Sequence, residues 1–175
     1  MSKKKIIFVD GYNIINAWPK LIAIKDNISL DASREELINI LSEYQSLGEE
    51  KVYLVFDAYL ATGERTIGER ICKNITVYFT KQKETADQYI ERVLDLTGKR
   101  DVIRVATDDS LIQQTILSRG GTRLSSRELL VEYHNLKKQM SRMKVKEPEY
   151  HQKNLVTIDE KTKNILDEIA KKLKK

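Results

Sequence analysis

The chain has 175 residues, which is the length of one domain that can bury a core without disulfide or metal staples. Its hydrophobic content of 41% and charged content of 33% indicate a folded globular protein and exclude a disordered one. No stretch approaches the ~18 apolar residues that span a membrane, and the single cysteine, Cys72, excludes an internal disulfide and a cysteine-based zinc cluster. The apolar part of the N-terminus is too short for a signal peptide, so these features predict a cytoplasmic protein.

The net charge of +5 is concentrated towards the C-terminal end of the sequence. Residues 134–175 contain 12 Lys or Arg against 6 Asp or Glu, a net of +6, so residues 1–133 sum to −1. A basic segment on a nearly neutral body suits a polyanion, most often a nucleic acid. On charge alone, a solvated lysine-rich helix face explains the pattern equally well.

Strand and helix patterns alternate along the chain. Short apolar runs predict strands, and apolar residues three or four positions apart predict helices. The predicted strands are 5–9, 51–56, 75–79, 101–106 and 122–124, and the predicted helices before residue 125 are 31–47, 85–97 and 109–118. This alternation, with no tight hairpin signal, predicts βαβ units and a mostly parallel sheet covered on both faces, a three-layer α/β fold.

Three further segments complete this reading of the chain. Residues 57–74 contain two glycines and several charges and are predicted to form a long, mobile surface loop. Ser125 and Glu128 form a capping box that opens a helix with an apolar stripe up to Met143. A polar linker, 144–156, is predicted to follow, and a second capping box opens a basic C-terminal helix over 157–175.

Carboxylates follow the predicted strands at the edge of the sheet where parallel α/β proteins bind their ligands. They are Asp10 after the first strand, Asp57 after the second, Asp108 and Asp109 after the fourth, and Glu84 and Asp87 at the helix that follows the third. Taken singly, each has an ordinary use as a turn or cap residue. Together they would repel one another, and clustered carboxylates are tolerated when a hard cation such as Mg²⁺ or Mn²⁺ lies among them.

Such a site suits phosphodiester chemistry, because a metal held by carboxylates activates water and stabilises charge on phosphate. The sequence contains neither a G-x-x-x-x-G-K-[ST] loop nor a G-x-G-x-x-G turn, so no nucleotide cofactor is expected. The two histidines, His134 and His151, fall in the basic region and are interpreted as structural or surface residues.

Four motifs in this order resemble the NYN division of the PIN-like nucleases, most closely its bacterial YacP-type branch. They are "VDGYNII" at 9–15, "LVFDA" at 54–58, "FTKQKETADQYIE" at 79–91 and "VATDD" at 105–109. The resemblance covers about residues 5–143 and implies a PIN-like fold, with an NYN/PIN-like nuclease domain over 1–143 and a basic extension after it. It also implies a metal-dependent endoribonuclease whose substrate is mRNA and whose partner is the translating ribosome, including its rRNA.

The resemblance also implies roles for particular residues. Asp10, Asp87 and Asp109 would hold the Mg²⁺ or Mn²⁺ ion, and Asn13 would orient a metal-bound water or a phosphate. The auxiliary residues are Asp57, Glu84 and Asp108. The family often carries a further acid where this sequence has Leu111, which leaves the predicted site one carboxylate poorer.

Several residues are interpreted as RNA contacts. Tyr12 either packs in the core or stacks on a base, and the basic residues of the 58–74 loop would order that loop on RNA. The basic candidates are Arg65, Arg70 and Lys73 in the loop and Lys171 and Lys172 in the tail. Incidental charge on solvated segments is the competing interpretation.

Two other classes of protein fit part of the pattern. A catalytically weak RNA- or ribosome-binding module of the same fold would explain Leu111, although the retained acids favour an enzyme. A signalling receiver-like domain also gathers carboxylates around Mg²⁺ at strand ends. That class is disfavoured because the third predicted strand ends in Phe79-Thr80-Lys81 without a phospho-accepting aspartate.

Overall fold

The structure is a computed structural model that describes residues 4–57, 68–81, 84–96, 101–118 and 120–146. The chain divides into two compact units, Met1–Gln139 and Met140–Lys175, and only 140–146 are described in the second. Within the described ranges, no helix has the length and apolar character needed to cross a membrane.

The described elements alternate strands with helices along most of the chain. In order they are β1 (Lys5–Asp10), α1 (Gly11–Ala17), α2 (Pro19–Asn27), α3 (Leu30–Leu47), β2 (Lys51–Phe56), β3 (Gly68–Cys72), β4 (Ile75–Phe79), α4 (Ala86–Leu96), β5 (Val102–Ala106), α5 (Ser110–Ser118), β6 (Thr122–Leu124) and α6 (Ser126–Lys146). The predicted strands, and the predicted helices that became α3, α4 and α5, match these bounds within one residue. Helices α1 and α2 had not been predicted as separate elements.

The strands form one sheet in the order β3-β4-β2-β1-β5-β6. Every neighbouring pair is parallel except β3 and β4, which are antiparallel. Numbered among the parallel strands alone, the order is 3-2-1-4-5, whereas receiver domains have the order 2-1-3-4-5. The receiver-like alternative is therefore wrong. The strand order reverses at β1, so a crevice is expected beyond the carboxyl ends of β1 and β5.

Helices cover both faces of the sheet, which confirms the three-layer α/β prediction. Alternate residues of β1 point to opposite faces, as a strand period of two requires. Ile7 and Val9 join the core cluster under α1, α2, α3 and α6, and Phe8 joins the cluster under α4 and α5. All five residues of β4 are buried, as expected for an interior strand of a sheet covered on both sides.

Part of the predicted mobile loop is an edge strand. β3 runs antiparallel to β4, and a two-residue turn, Lys73-Asn74, joins them. The predictions of a loop and of no tight hairpin are wrong for residues 68–74, while 58–67 lie outside the described residues. The sequence lacks the Asn-Gly signal of common hairpin turns. Polar contacts from α3 hold the turn instead: Asn74 bonds Ser42, and Lys73, at φ 56°, bonds Asn39.

Helix α6 begins as predicted and ends later than predicted. The Ser125–Glu128 capping box is present, with Glu128 N donating to Ser125 Oγ at 3.2 Å and Ser125 N donating to Glu128 Oε2 at 2.7 Å. The helix then continues to Lys146, which is inside the predicted linker 144–156. The predicted helix 157–175 lies outside the described residues.

Candidate active site

Asp10 is placed by the junction of β1 and α1. It is the last residue of β1 and the N-cap of α1, and its Oδ1 accepts a hydrogen bond from Asn13 N at 3.2 Å. The next residue, Gly11, is required by packing, because a Cβ there would lie 2.3 Å from Cε1 of Phe56. The Phe56 ring of the core therefore packs directly against the backbone next to Asp10.

The other carboxylates reach the same edge of the sheet from neighbouring elements. Asp10 is in register with Val55, so Asp57 follows β2 just beyond it. Val9 is in register with Ala106, so the segment that carries Asp109 leaves β5 at the same level. Asp87 lies in the first turn of α4. The sequence prediction that these elements deliver carboxylates to one edge is consistent with this register.

The electrostatics show that the carboxyl groups act on one another. The pKa of Asp10 is raised to about 6, mainly by burial and also by the charges of Asp57 and Asp109, while the backbone N–H of Asn13 lowers it. Burial likewise raises the pKa of Asp87 to about 7, followed by the charges of Asp10 and Asp109. Negative charges that are buried together in this way cost stability when ionised, and a positive partner among them offsets that cost.

Two carboxylate oxygens beside the crevice are buried without a hydrogen-bond partner among the described residues. They are Asp87 Oδ1 and Glu84 Oε2. The other oxygen of Glu84, Oε1, accepts from Arg92 at 2.8 Å, so Glu84 is partly neutralised by that guanidinium. Asp87 is therefore the better candidate for a cation ligand.

The donor set fits Mg²⁺ or Mn²⁺ held largely through water. Within the described ranges, no three Asp, Glu, His or Cys side chains converge closely enough to surround one ion. Mg²⁺ commonly uses only one or two carboxylates, with waters and substrate phosphate completing its shell. Asp10 and Asp87 match this number of carboxylates, and Asp87 Oδ1 has no hydrogen-bond partner among the described residues.

Asn13 and Asp108 are linked by a hydrogen bond between α1 and the segment that follows β5. Asp108 N donates to Asn13 Oδ1 at 3.0 Å. The carboxylate of Asp108 turns to α6, where it accepts from Ser126 N at 2.9 Å and from the Ser126 hydroxyl. Asp108 is thus used to cap α6.

The residues predicted to contact RNA are distributed differently. Tyr12 is 7% exposed, packs on Phe56 with ring centroids 5.1 Å apart, and accepts a hydrogen bond from Arg34 at 3.3 Å. Its ring is thus core and is too buried for base stacking. Lys73 lies in the β3–β4 turn, and Arg70 lies in β3. The three remaining candidates fall outside the described residues: Arg65, Lys171 and Lys172.

Sequence reasoning missed three residues that support the site from outside it. Trp18, Arg34 and Ser126 are all buried. Ser126 carried a usable signal, because it directly follows the cap residue of a predicted helix. The burial of Arg34 carried none, because an arginine in a helical pattern is ordinarily solvated.

The chain belongs to the YacP-like NYN domain family, which it matches over residues 7–175, and the NYN domain has a nuclease-type fold. It is 40% identical over 138 residues to the uncharacterized protein YacP of Bacillus subtilis (strain 168), covering 78% of this chain and 79% of that protein.

The chain is also similar to two solved structures. The crystal structure of Rae1 (YacP) from Bacillus subtilis superposes with a TM-score of 0.69 at 35% identity, covering 97% of this chain and 91% of that one. A tryptophan-to-leucine mutant of Rae1 (YacP) gives a TM-score of 0.65 at 38% identity and covers 79% of each chain. The family resemblance and the fold predicted from the sequence are confirmed.

Proposed function

We propose that this chain is a metal-dependent endoribonuclease that cleaves mRNA phosphodiester bonds in association with the translating ribosome. The observation that carries the proposal is the group of carboxylates at the β1–β5 switch point, where a crevice is expected. There the pKa values of Asp10 and Asp87 are raised by burial and by neighbouring carboxylates, and Asp87 Oδ1 is buried without a partner among the described residues. Membership of the NYN family adds a nuclease-type fold and favours RNA as the partner.

The residues divide into metal-holding and supporting roles. Asp10 and Asp87 would hold Mg²⁺ or Mn²⁺, with Asp109 contributing charge or a water-mediated contact. When bound, the ion supplies an activated water and stabilises charge on the phosphate under attack. Asp10 is held for this purpose by the N–H of Asn13. Asp57 adds to the field that favours a cation at Asp10.

The basic end of the chain and the family resemblance both support the ribosome as the partner. Residues 134–175 carry a net charge of +6 on a body that sums to −1. Such a segment favours a large polyanion such as rRNA through counterion release. It supplies affinity without sequence readout, so it suits anchoring rather than choice of the cut site.

The second candidate is an RNA- or ribosome-binding module that has lost its activity. Leu111 at a position where the family often has an acid favours it, as does the lack of three converging ligands among the described residues. The enzyme is favoured because a buried cluster of repelling carboxylates weakens the fold and has no use in a module that binds only through its basic segment.

The proposal is tested by mapping new mRNA 5′ ends in a translating extract. The wild type is compared with Asp10→Asn and Asp87→Asn. Asp101→Asn serves as the matched control, because Asp101 precedes β5 and contacts Lys4 N at the opposite edge of the sheet. Cuts in a fixed reading-frame phase, present with wild type and the control and lost in both crevice variants, are expected.

Two other outcomes would change the conclusion. Cuts that survive a block of translation would leave an endoribonuclease that acts without the ribosome. The same map from all four proteins would show that the crevice is not catalytic, and the binding module would then be the better account.

A further inference from the structure

Helix α4 presents Asp87 and Arg92 on different flanks. Asp87 and Glu91 are four positions apart and share one flank of the helix. Arg92 is five positions from Asp87, about 140° around the helix, so it lies on the other flank. After burial, the charges of Asp10 and Asp109 contribute most to the raised pKa of Asp87. The flank of Asp87 therefore faces the carboxyl ends of β1 and β5.

The flank of Arg92 packs towards β4 instead. Tyr89 of α4 stacks on Tyr78 of β4, with ring centroids 3.8 Å apart and an interplanar angle of 16°. The Arg92 guanidinium lies over the Tyr89 ring, 5.2 Å from its centroid. The hydrogen bond and charge of Glu84 raise the pKa of Arg92 most, and those of Tyr78 raise it further, against a lowering by burial. These contacts fix the rotation of α4 on the sheet.

The segment that enters α4 is tied to Arg92 through Glu84. Arg92 Nε and Nη2 both donate to Glu84 Oε1, at 3.2 and 2.8 Å. Between Glu84 and the helix, Thr85 and Gln88 form a capping box, in which Thr85 N donates to Gln88 Oε1 at 3.1 Å and Gln88 N donates to Thr85 Oγ1 at 3.2 Å. The residue before the cap is thus held by a residue two turns along the same helix.

We propose that Arg92 is a positioning residue for Asp87, and that Glu84 is the anchor of Arg92 rather than a ligand of the cation. Asp87 is the second residue of α4, and helix ends fray unless they are held. The Arg92–Glu84 pair holds this first turn from the flank that faces away from Asp10. The inference rests on the proposed function, because it takes Asp10 and Asp87 to hold the cation. It leaves the other coordination positions to water and substrate phosphate.

The competing role for Glu84 is that of a direct ligand, since its Oε2 is buried without a hydrogen-bond partner among the described residues. The two roles give opposite expectations for Arg92. If Glu84 bound the cation, Arg92 would compete with the cation for that carboxylate, and removal of Arg92 would raise the cation affinity. If Arg92 positions Asp87, its removal lowers the affinity.

Mn²⁺ affinity, measured by electron paramagnetic resonance, separates the two roles. Arg92→Met and Glu84→Met should each lower the affinity about threefold to tenfold, less than the loss of a group bonded to a ligand itself can cost. The two variants change the net charge in opposite directions, so a purely electrostatic effect would have opposite signs. The double variant should bind no more weakly than the weaker single variant, because both break one connection. An equal or higher Mn²⁺ affinity in Arg92→Met would overturn the proposal.

A conservative variant and a matched control sharpen this test. Glu84→Gln keeps an oxygen that accepts from Arg92, so it should retain most of the Mn²⁺ affinity that Glu84→Met loses. A loss as large as that of Asp87→Asn would make Glu84 a ligand and overturn the proposal. The control is Lys137→Met, which breaks an exposed ion pair between α6 and α3 and should bind Mn²⁺ like the wild type. An equal loss in Lys137→Met and Arg92→Met would reduce the role of Arg92 to general stability and contradict the inference.

The wild-type protein supplies a measurement of the pair itself. The Nε–H resonance of Arg92, assigned by its loss in Arg92→Lys, should keep its position and its exchange rate when Mg²⁺ saturates the protein, because Glu84 stays bonded to Arg92. A large shift of this resonance, or faster exchange with water, would show that the cation takes Glu84 from Arg92 and would overturn the proposal.

The outcomes distinguish this inference from the proposed function. If Arg92→Met binds Mn²⁺ like the wild type while Asp10→Asn abolishes cleavage, the inference fails and the nuclease stands. If Arg92→Met and Glu84→Met lose Mn²⁺ affinity as expected while neither Asp10→Asn nor Asp87→Asn alters the 5′-end map, the nuclease fails and the positioning role stands. A wild type that binds no Mn²⁺ would overturn both.

Discussion

At the scale of single residues, the carboxylates of the crevice lower the stability of the folded chain when they are ionised. The folded chain raises the pKa of Asp10 to about 6 and that of Asp87 to about 7, from an ordinary value of 3.8. Between about pH 4 and pH 7 the folded state therefore binds more protons than the unfolded state, so stability falls as the pH rises through this range. A bound cation would offset this loss.

We predict that Asp87→Asn is more stable than the wild type at pH 8 in chelator-treated buffer and no more stable at pH 4. The amide keeps the shape of the side chain and removes the buried charge. The expected gain is on the order of 1 kcal/mol after allowance for solvent screening, or about 2–4 °C in melting temperature. Thermal melts of both proteins across this pH range measure it, with Asp101→Asn as the control. A wild-type melting temperature that rises steadily from pH 4 to pH 8 would contradict the prediction.

Gly11 lies where the Phe56 ring packs against the backbone next to Asp10, which leaves no room for a side chain. We predict that Gly11→Ala lowers stability by about 1–3 kcal/mol, because its Cβ would overlap the Phe56 ring and force it to move. Gly48→Ala is the matched control, because its nearest neighbour, Tyr44 O, lies at an ordinary 3.4 Å. Urea unfolding measures both. Equal stabilities of the two variants would show that Phe56 yields without cost.

The residues of the site were predictable to the extent that they follow strands. Asp10, Asp57 and Asp109 could be found because parallel strands end at one edge of a sheet and the apolar runs mark where they end. Trp18 could not, because its role depends on a hydrogen bond to Ser126 across 108 positions of sequence, and the position of Ser126 after a cap residue did not reveal its bond to Asp108. The buried state of Tyr12 was also undecidable, since its partners Phe56 and Arg34 come from other elements.

At the scale of elements, α6 is attached to the sheet by a partly buried ionic network. Arg104 of β5 donates to Glu132 of α6 and to Glu50, which precedes β2. The hydroxyl of Tyr44 in α3 lies within hydrogen-bond distance of both carboxylates, 2.8 Å from Glu132 and 3.0 Å from Glu50. Hydrogen bonding to Arg104 lowers the pKa of Glu132. The network matters for the crevice, because α6 also carries Ser126.

We predict that Arg104→Met costs about 2–4 kcal/mol, somewhat less than the breaking of a fully buried pair, because it leaves two poorly solvated carboxylates without a cation. Glu50 is only 11% exposed and Glu132 34%. The control is Lys137→Met, whose pair with Glu43 is 53% and 41% exposed and should be worth less than about 1 kcal/mol. Chemical unfolding compares them, and a similar loss for both variants would contradict the role given to this network.

The elements themselves were largely predictable, with one instructive failure. Amphipathic spacing located α3 and α4, and capping chemistry located the start of α6, because these signals are local. The β3–β4 hairpin was missed because Ser42 and Asn39 of α3 hold its turn. Local turn chemistry at Lys73-Asn74 gives no comparable signal. Tertiary contacts decided what the local sequence left open.

At the scale of the whole molecule, charge and chemistry occupy different parts of the chain. The acidic crevice belongs to the unit Met1–Gln139, and the excess positive charge belongs to residues 134–175. A polyanionic partner would be attracted by the second and acted on by the first. The proposed division of work is therefore anchoring by the basic segment and cleavage at the crevice.

We predict that reversing four tail lysines to glutamate weakens binding to RNA or ribosomes and flattens its salt dependence. The four are Lys171, Lys172, Lys174 and Lys175. Each lysine that neutralises a phosphate adds to the slope of log affinity against log salt. Binding measured at several salt concentrations checks this, with the four Lys→Arg changes as a charge-preserving control. An unchanged slope would leave these lysines a role in solubility only.

The central claim is that the crevice is a cation site, and Mn²⁺ binding followed by electron paramagnetic resonance tests it most directly. We expect the wild type and Asp101→Asn to take up Mn²⁺, Mg²⁺ to displace it, and Asp10→Asn and Asp87→Asn each to lose most of the affinity. Equal Mn²⁺ binding by all four proteins, or none by the wild type, would contradict the account.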